Sequence, residues 1–268
     1  VQLSVKAVGI NFRDVLNVLG MYPGDPGAPG GDCAGIITAM GADAPAGLVV
    51  GQPVFGLAVG SLGTVAQCSS YTVAAMPPCL SYEAASSMPT VFITAQLAMG
   101  AVTGVQPGER VLVHAAAGGV GLAALQVLCA LGAVPVATAG SPSKRSLLRS
   151  LGMQAVVGSR DTQFVGPLAC LGGVDVVLNS LTSPGMVGGS LSVLRRGGRF
   201  VEIGKRDIWA PAAAAAERPD VAHSLLAVDF LLMRACRVHC SGWRQAWQQA
   251  SWRQSLWSAM TLLQQQLP

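Results

Sequence analysis

Up to about residue 95 the chain alternates short apolar runs with turn-forming residues. Val1-Gln2-Leu3-Ser4-Val5-Lys6 alternates apolar and polar positions, the pattern of a half-buried strand. Gly35-Ile36-Ile37-Thr38, Pro53-Val54-Phe55-Gly56-Leu57 and Ser70-Tyr71-Thr72-Val73 read as further strands, and Tyr22-Pro23-Gly24-Asp25-Pro26-Gly27 as a turn cluster. One helix is expected over 12–19, with Asn11 as its N-cap. These features predict a small, mostly β domain. From about Glu83 the pattern changes. Segment 83–100 reads as one helix. Strands are then predicted over 110–114, 134–139, 155–158, 174–178 and 199–203, with helices over 120–131, 143–151 and 185–195. Strands separated by helices of this length imply βαβ units and a doubly wound parallel sheet, an α/β class. The expected domains are 1–98 and 99–268. Ala212–Ala216 reads as a helix start or loop edge, and 241–266, rich in Trp and Gln, as one helix.

With 51% apolar and 11% charged residues, the chain can bury a sizeable core, which argues against disorder. No apolar run approaches the roughly 20 residues of a membrane span, and the first residues lack a signal-peptide layout. No initiator Met is present, so a piece of a longer polypeptide is expected. The net charge of +4 is scattered and forms no basic stripe for nucleic acid. Seven cysteines at irregular spacings argue against a disulfide framework and for a reduced, cytoplasmic setting. Cys236, His239 and Cys240 lack a second Cys/His pair for a closed zinc site, so no metal is expected.

The sharpest motif is Ala116-Ala117-Gly118-Gly119-Val120-Gly121, between the apolar strand Val111-Leu112-Val113 and the apolar helix that follows. Glycine serves where a turn is tight and where backbone approaches a pyrophosphate, which then faces the helix N-terminus. Gly118, Gly119, Val120 and Gly121 are therefore candidate dinucleotide contacts, with Ala116 where the usual motif has its first glycine. The second strand ends near Gly140 without the Asp or Glu that holds the ribose of NAD. Ser141, Lys144 and Arg145 stand there instead, a hydroxyl and two cations suited to a 2′-phosphate. They predict NADPH.

At this point the residues resemble a known family. Val111 to Ala124 resembles the cofactor motif of the medium-chain reductases. Asn11-Phe12-Arg13-Asp14-Val15-Leu16, with Gly20-Met21-Tyr22-Pro23-Gly24, resembles a motif of enoyl reductase domains in modular polyketide synthases and animal-type fatty acid synthases. Ala139-Gly140-Ser141 with Lys144-Arg145, Ser159-Arg160-Asp161-Thr162, Val176 to Leu181, and Gly197 to Lys205 recur there in the same order. The resemblance implies a GroES-like substrate domain packed on a Rossmann domain, no zinc, and an active site in the cleft. It also implies family domains that continue past 268 and return to the substrate domain. Three departures stand out: Gln96-Leu97 where aromatic residues are frequent, a short 163–173, and a start inside the usual first strands.

The implied reaction is reduction of a trans-2-enoyl thioester carried by an acyl carrier protein, with neighbouring synthase domains as partners. Hydride attacks the β-carbon, an enolate forms, and the α-carbon takes a proton. Such a site needs cofactor placement, stabilisation of the thioester oxygen and an acid. Lys205, after Gly204 at the carboxyl end of a strand, is the candidate acid, and the family pattern pairs it with Asp229. Asp207 is a rival partner. Tyr22 is a second proton donor and substrate contact, tied in the family to α-methyl stereochemistry. Asn11 is either a substrate or nicotinamide contact or a plain N-cap. Asn179 and Ser180 end a strand beside the expected nicotinamide, while His114 reads as structural. Two rivals remain at this stage: a stand-alone quinone or alkenal reductase of the same superfamily, and a non-catalytic scaffold domain.

Overall fold

A computed structural model describes residues 1–22, 25, 27–41, 47–181, 183–205 and 208–228. The expected helix over 241–266, the Cys236/His239/Cys240 group, Asp207 and Asp229 lie outside the described residues. Two compact units form, one built on Val1–Ile93 and the other on Thr94–Ala227.

The first unit contains β1 (Gln2–Gly9), α1 (Phe12–Val18), β2 (Asp32–Ala39), β3 (Pro53–Leu57), β4 (Val65–Gln67), β5 (Val73–Ala75) and α2 (Tyr82–Ser86). Its sheet has the order β4-β1-β2-β3-β5, and each pairing is antiparallel. Alternate residues of these strands turn inward, so Leu3, Ile37, Val54, Ala66 and Val73 meet in one apolar cluster. The strand expected at Ser70 starts only at Val73. The Thr72 hydroxyl donates to the carbonyls of Leu57 (2.8 Å) and Ser69 (2.9 Å), which folds Ser69–Thr72 into a turn.

The helix expected over 83–100 is divided. After α2, Ser87 caps the chain, and α3 (Pro89–Gln96) starts afresh at proline. Proline lacks an N–H and disfavours helical geometry in the residue before it, so Met88 breaks the run. A π-helical turn, Leu97–Val102, follows. The boundary between the two units falls inside α3.

The second unit runs β6 (Arg110–Val113), α4 (Gly119–Ala130), β7 (Val134–Ala139), α5 (Pro142–Ser150), β8 (Ala155–Gly158), α6 (Val165–Cys170), β9 (Val174–Asn179), α7 (Met186–Ser192), β10 (Leu194–Glu202), α8 (Pro211–Glu217) and β11 (Ala222–Leu225). The sheet order is β11-β10-β9-β6-β7-β8, with parallel pairings throughout. Read from β8 in order of succession, this is the 3-2-1-4-5-6 order of the dinucleotide-binding fold. Phe164, Leu168, Val177, Leu191 and Phe200 are buried in its core. Segment 163–173 holds only a 3₁₀ turn, Thr162–Phe164, and the short α6. The helix expected over 185–195 stops at Ser192, and β10 begins at Leu194 with its register interrupted before Arg199. Gly197, in the left-handed region at φ 74°, sits in that interruption. The Ala212–Ala216 patch lies inside α8.

Candidate active site

The carboxyl edge of the parallel sheet gathers most of the candidate residues. Chain order reverses between β6 and β9, and ligands of open α/β sheets bind outside the strands' carboxyl ends at such a point. Beyond β6 the chain turns through Ala115, which takes the left-handed φ of 49° that L residues seldom adopt. Ala116 is fully buried and donates its N–H to the Thr138 carbonyl at 2.8 Å. The strained position is therefore Ala115, and a methyl group is accommodated at Ala116.

Gly118 is the N-cap of α4, whose first turn has neither a capping side chain nor an acidic residue. Gly118 and Gly119 are exposed, Val120 half-buried and Gly121 buried. The leading N–H groups of a helix have no intrahelical acceptor and attract anions. Gly121 has an additional task. A Cβ there would lie 2.5 Å from the Ala116 Cα and 2.6 Å from its carbonyl carbon and oxygen. Its missing side chain lets α4 press against the turn.

Next along the edge lie the ends of β7 and β8. Ser141 is the N-cap of α5, and its hydroxyl accepts from the Lys144 N–H at 3.3 Å. Lys144 is exposed. Arg145 is half-buried and donates to the Ala139 carbonyl at 3.1 Å. Arg160, beyond β8, donates from Nε to the Gly140 carbonyl at 3.0 Å. Two guanidinium groups thus reach Ala139-Gly140, and the backbone N–H of Lys144 reaches Ser141. Arg160 lies in a stretch that carried the family resemblance, yet no role was assigned to it there; its reach back to Gly140 depends on β8 pairing with β7.

On the other side of β6, β9 and β10 end as register partners at Asn179 and Glu202. Both are buried. Asn179 Nδ2 donates to Glu202 Oε2 at 2.6 Å and to the Leu181 carbonyl at 3.1 Å. The Gly204 N–H donates to Glu202 Oε1 at 2.6 Å. Ser180, Gly204 and Lys205 are half-buried beside this pair. Burial pushes the Glu202 carboxyl up, opposed by the bonds from Asn179 and from backbone. Sequence reading passed over Glu202; a single acid within Phe200-Val201-Glu202-Ile203 was the available signal.

His114 lies beneath the turn. Its ring nitrogens meet Thr138 Oγ1 (3.0 Å) and Ser190 Oγ (2.8 Å), and its ring packs edge-on against Phe164. Burial pushes its pKa down to about 3, so at neutral pH it is uncharged.

Two further candidates belong to the first unit. Asn11 is the N-cap of α1, and Asp14 Oδ2 accepts from its backbone N–H at 2.8 Å. The Asn11 side chain also hydrogen-bonds the buried Asp32. Asp32 accepts from the Thr90 N–H at 3.1–3.2 Å and from Thr90 Oγ1 at 2.6 Å. Burial raises Asp32 to about 6, against the opposing bonds from Thr90 and Asn11. Asp32 was also missed as a carrier of local order, although an acid opening the apolar run Cys33 to Ile37 marked it. Tyr22 is half-buried, and the Arg13 guanidinium sits over its ring at 5.4 Å.

Among the described residues no three His, Cys, Asp or Glu side chains form a metal-binding group. Burial pushes the Cys33 thiol up to about 12. No helix among the described residues is long and apolar enough to cross a membrane.

Comparison with known proteins follows the same division. Residues 1–82 match the alcohol dehydrogenase GroES-like domain and residues 119–254 the zinc-binding dehydrogenase family. The structure is similar to the crystal structure of CurK enoyl reductase, with TM-score 0.86 and 37% identity, covering 100% of this chain and 82% of that one. It is also similar to a quinone oxidoreductase from Thermus thermophilus, solved with and without NADPH, with TM-score 0.72, 32% identity and coverage of 88% and 74%. In sequence it is 48% identical over 223 residues to the spectinabilin polyketide synthase system protein NorB of Streptomyces orinoci, covering 82% of this chain and 10% of that protein. It is 42% identical over 228 residues to the pikromycin synthase component PikAII of Streptomyces venezuelae, covering 83% of this chain and 6% of that protein. The chain thus spans only a small part of these synthase proteins. With an antiparallel unit ahead of a 3-2-1-4-5-6 parallel sheet, and with these relatives, the chain belongs to the medium-chain dehydrogenase/reductase superfamily, as a polyketide synthase-type enoyl reductase domain.

Proposed function

We propose that this chain reduces trans-2-enoyl thioesters on an acyl carrier protein with NADPH, as one domain of a multidomain synthase. The observation that carries this reading is the row of loops along one sheet edge: three cations at β7 and β8, an uncapped glycine turn at β6, and the Asn179–Glu202 pair with Lys205 at β9 and β10. Such a row matches the parts of a phosphorylated dinucleotide in sequence, from 2′-phosphate through pyrophosphate to the reacting ring. When bound, NADPH supplies the hydride. Gly118, Gly119, Val120 and Gly121 hold the pyrophosphate through backbone N–H groups. Ser141, Lys144 and Arg145, joined by Arg160, hold the 2′-phosphate. Asn179, Ser180 and Gly204 line the reacting end. Lys205 stabilises charge on the thioester oxygen and delivers the proton to the α-carbon, paired with Asp229. Tyr22 supplies the proton where the α-carbon carries a methyl group, and Asn11, held by Asp32, contacts the substrate.

The test is NADPH consumption by the purified chain with a trans-2-enoyl pantetheine thioester, a quinone and an alkenal offered separately. Turnover concentrated on the thioester, with a saturated product, is expected. Turnover confined to the quinone or alkenal would favour the stand-alone reductase reading, which the Thermus relative supports. Failure to bind NADPH would favour a scaffold. With an α-methyl enoyl thioester, Tyr22→Phe should lower kcat or change the α-carbon configuration; an unchanged rate and configuration would remove Tyr22 from the mechanism.

A further inference from the structure

The last backbone bond joining β9 to β10 runs from the Ile203 N–H to the Asn179 carbonyl, at 2.9 Å. Beyond it the strands give way to two loops, Ser180-Leu181 and Gly204-Lys205. Side chains continue the connection. Asn179 holds its own loop from both ends of its amide: Oδ1 accepts from the Leu181 N–H at 3.3 Å, and Nδ2 donates to the Leu181 carbonyl at 3.1 Å. The remaining Nδ2 proton goes to Glu202 Oε2 at 2.6 Å, and Glu202 Oε1 takes the Gly204 N–H at 2.6 Å. Both side chains are buried, so water cannot replace a lost partner.

We propose that Glu202 is the positioning residue of the proton-delivery loop: its two carboxylate oxygens clamp Gly204, and with it Lys205, to the Asn179 loop. This rests on the reductase reading above. The chemistry requires an acceptor on both sides. A carboxylate offers one oxygen to the Gly204 N–H and the other to the Asn179 amide. Glutamine has the same shape but only one oxygen, so its NH₂ must face one of these donors. The clamp then opens on one side while the strand stays filled. Exchanging the partners closes it again. In the double variant Asn179→Asp with Glu202→Gln, the new amide at position 202 donates to the new carboxylate at position 179, and its oxygen accepts from Gly204. The exchange gives up the bond to the Leu181 carbonyl, so it restores the clamp but not the whole network.

The experiment uses the full chain with three measurements: kcat on an enoyl pantetheine thioester, NADPH affinity by fluorescence titration, and reductive methylation of lysines followed by mass spectrometry. Lys6 and Lys144, the other lysines of the sequence, are internal controls. Glu202→Gln should lower kcat at least about tenfold, as loss of a hydrogen bond to a charged group implies. NADPH Kd should stay within about threefold, because the glycine turn and the cations at β7 are untouched. Methylation of Lys205 alone should accelerate, and the exchanged pair should recover part of the lost kcat. An unchanged kcat and Lys205 labelling rate in Glu202→Gln would overturn the proposal. So would general acceleration at all three lysines with no recovery in the exchanged pair, the mark of a merely structural residue. A wild-type chain inactive on enoyl thioesters would refute the reductase reading instead, and the Lys205 labelling would still decide the clamp.

Discussion

Replacing Gly121 by alanine sets two effects of known sign against each other. In a helix, alanine is favoured over glycine by about 1 kcal/mol through reduced backbone entropy. Gly121 lies in the first turn of α4, outside the left-handed region, so its backbone does not exclude a side chain. Space does. The added methyl would sit 2.5 Å from the Ala116 Cα and 2.6 Å from the carbonyl carbon and oxygen. Carbon atoms in contact prefer roughly 3.5–4.0 Å, so the overlap is about 1 Å against backbone that cannot rotate away. Overpacking of this kind costs about 1–3 kcal/mol, and collision with three backbone atoms places Gly121→Ala at the upper end. The expected net is a destabilisation of about 1–2 kcal/mol. Relief by moving α4 outward would shift its N–H groups, so NADPH affinity should fall about tenfold or more. Gly166→Ala in α6 is the control: nothing lies within 4 Å of its added Cβ, and it should be neutral or slightly stabilising. Denaturant midpoints and fluorescence titration with NADPH read both effects. If Gly121→Ala is as stable as Gly166→Ala and binds NADPH like the wild type, the packing role assigned to Gly121 is wrong.

Removing Lys144, Arg145 and Arg160 together by alanine should shift the NADPH/NADH ratio of kcat/KM toward NADH by at least about tenfold, since charge-assisted bonds contribute roughly 1.5–3 kcal/mol when formed; an unchanged ratio would disprove the 2′-phosphate assignment. Acid stability should carry two opposing signatures. His114 has a folded pKa near 3 against an ordinary value of 6.5. As pH falls below 6.5 the unfolded chain takes up a proton that the folded chain refuses, so stability drops by up to about 1.4 kcal/mol per pH unit. Asp32 is raised from 3.8 to about 6, so its contribution is present below 3.8 and is lost as pH rises through 6. The loss of stability between pH 7 and pH 5, read from denaturation midpoints, should therefore shrink or reverse in His114→Gln and grow in Asp32→Asn; the opposite order would refute the assignments.

What the sequence disclosed divides by the range of the interaction. The glycine turn was legible because close approach is a backbone requirement met within six residues, Ala116 to Gly121. The parallel sheet was legible because its strands are short apolar runs at regular intervals. The single helix expected over 83–100 failed because apolar spacing outweighed Pro89 in the reading, although proline ends helices locally. The expected helix over 185–195 failed because Leu194 continues an apolar pattern while the chain has already joined β10 beside Val174. The strand β11 lies after an alanine-rich stretch and has the half-polar sequence Ala222-His223-Ser224-Leu225, with little strand signal. Glu202, Asp32 and Arg160 escaped for a common reason. Glu202 finds Asn179 across 23 positions, Arg160 finds Gly140 across 20, and Asp32 finds Thr90 across 58. Such partners meet only once distant elements are packed together, and spacing along the chain does not announce them.

The row of loops on the parallel sheet has a practical consequence for redesign. Neighbouring strands lie about 4.8 Å apart, so β7 and β10, three steps apart in the sheet, are separated by roughly 14 Å. Substitutions at that distance without shared partners usually combine as the sum of their separate effects. Under the proposed function, nucleotide preference belongs beside β7 and β8 and proton delivery beside β10, so the two are expected to respond to substitution independently. A variant that accepts NADH and one that alters protonation should be obtainable apart and merged without epistasis.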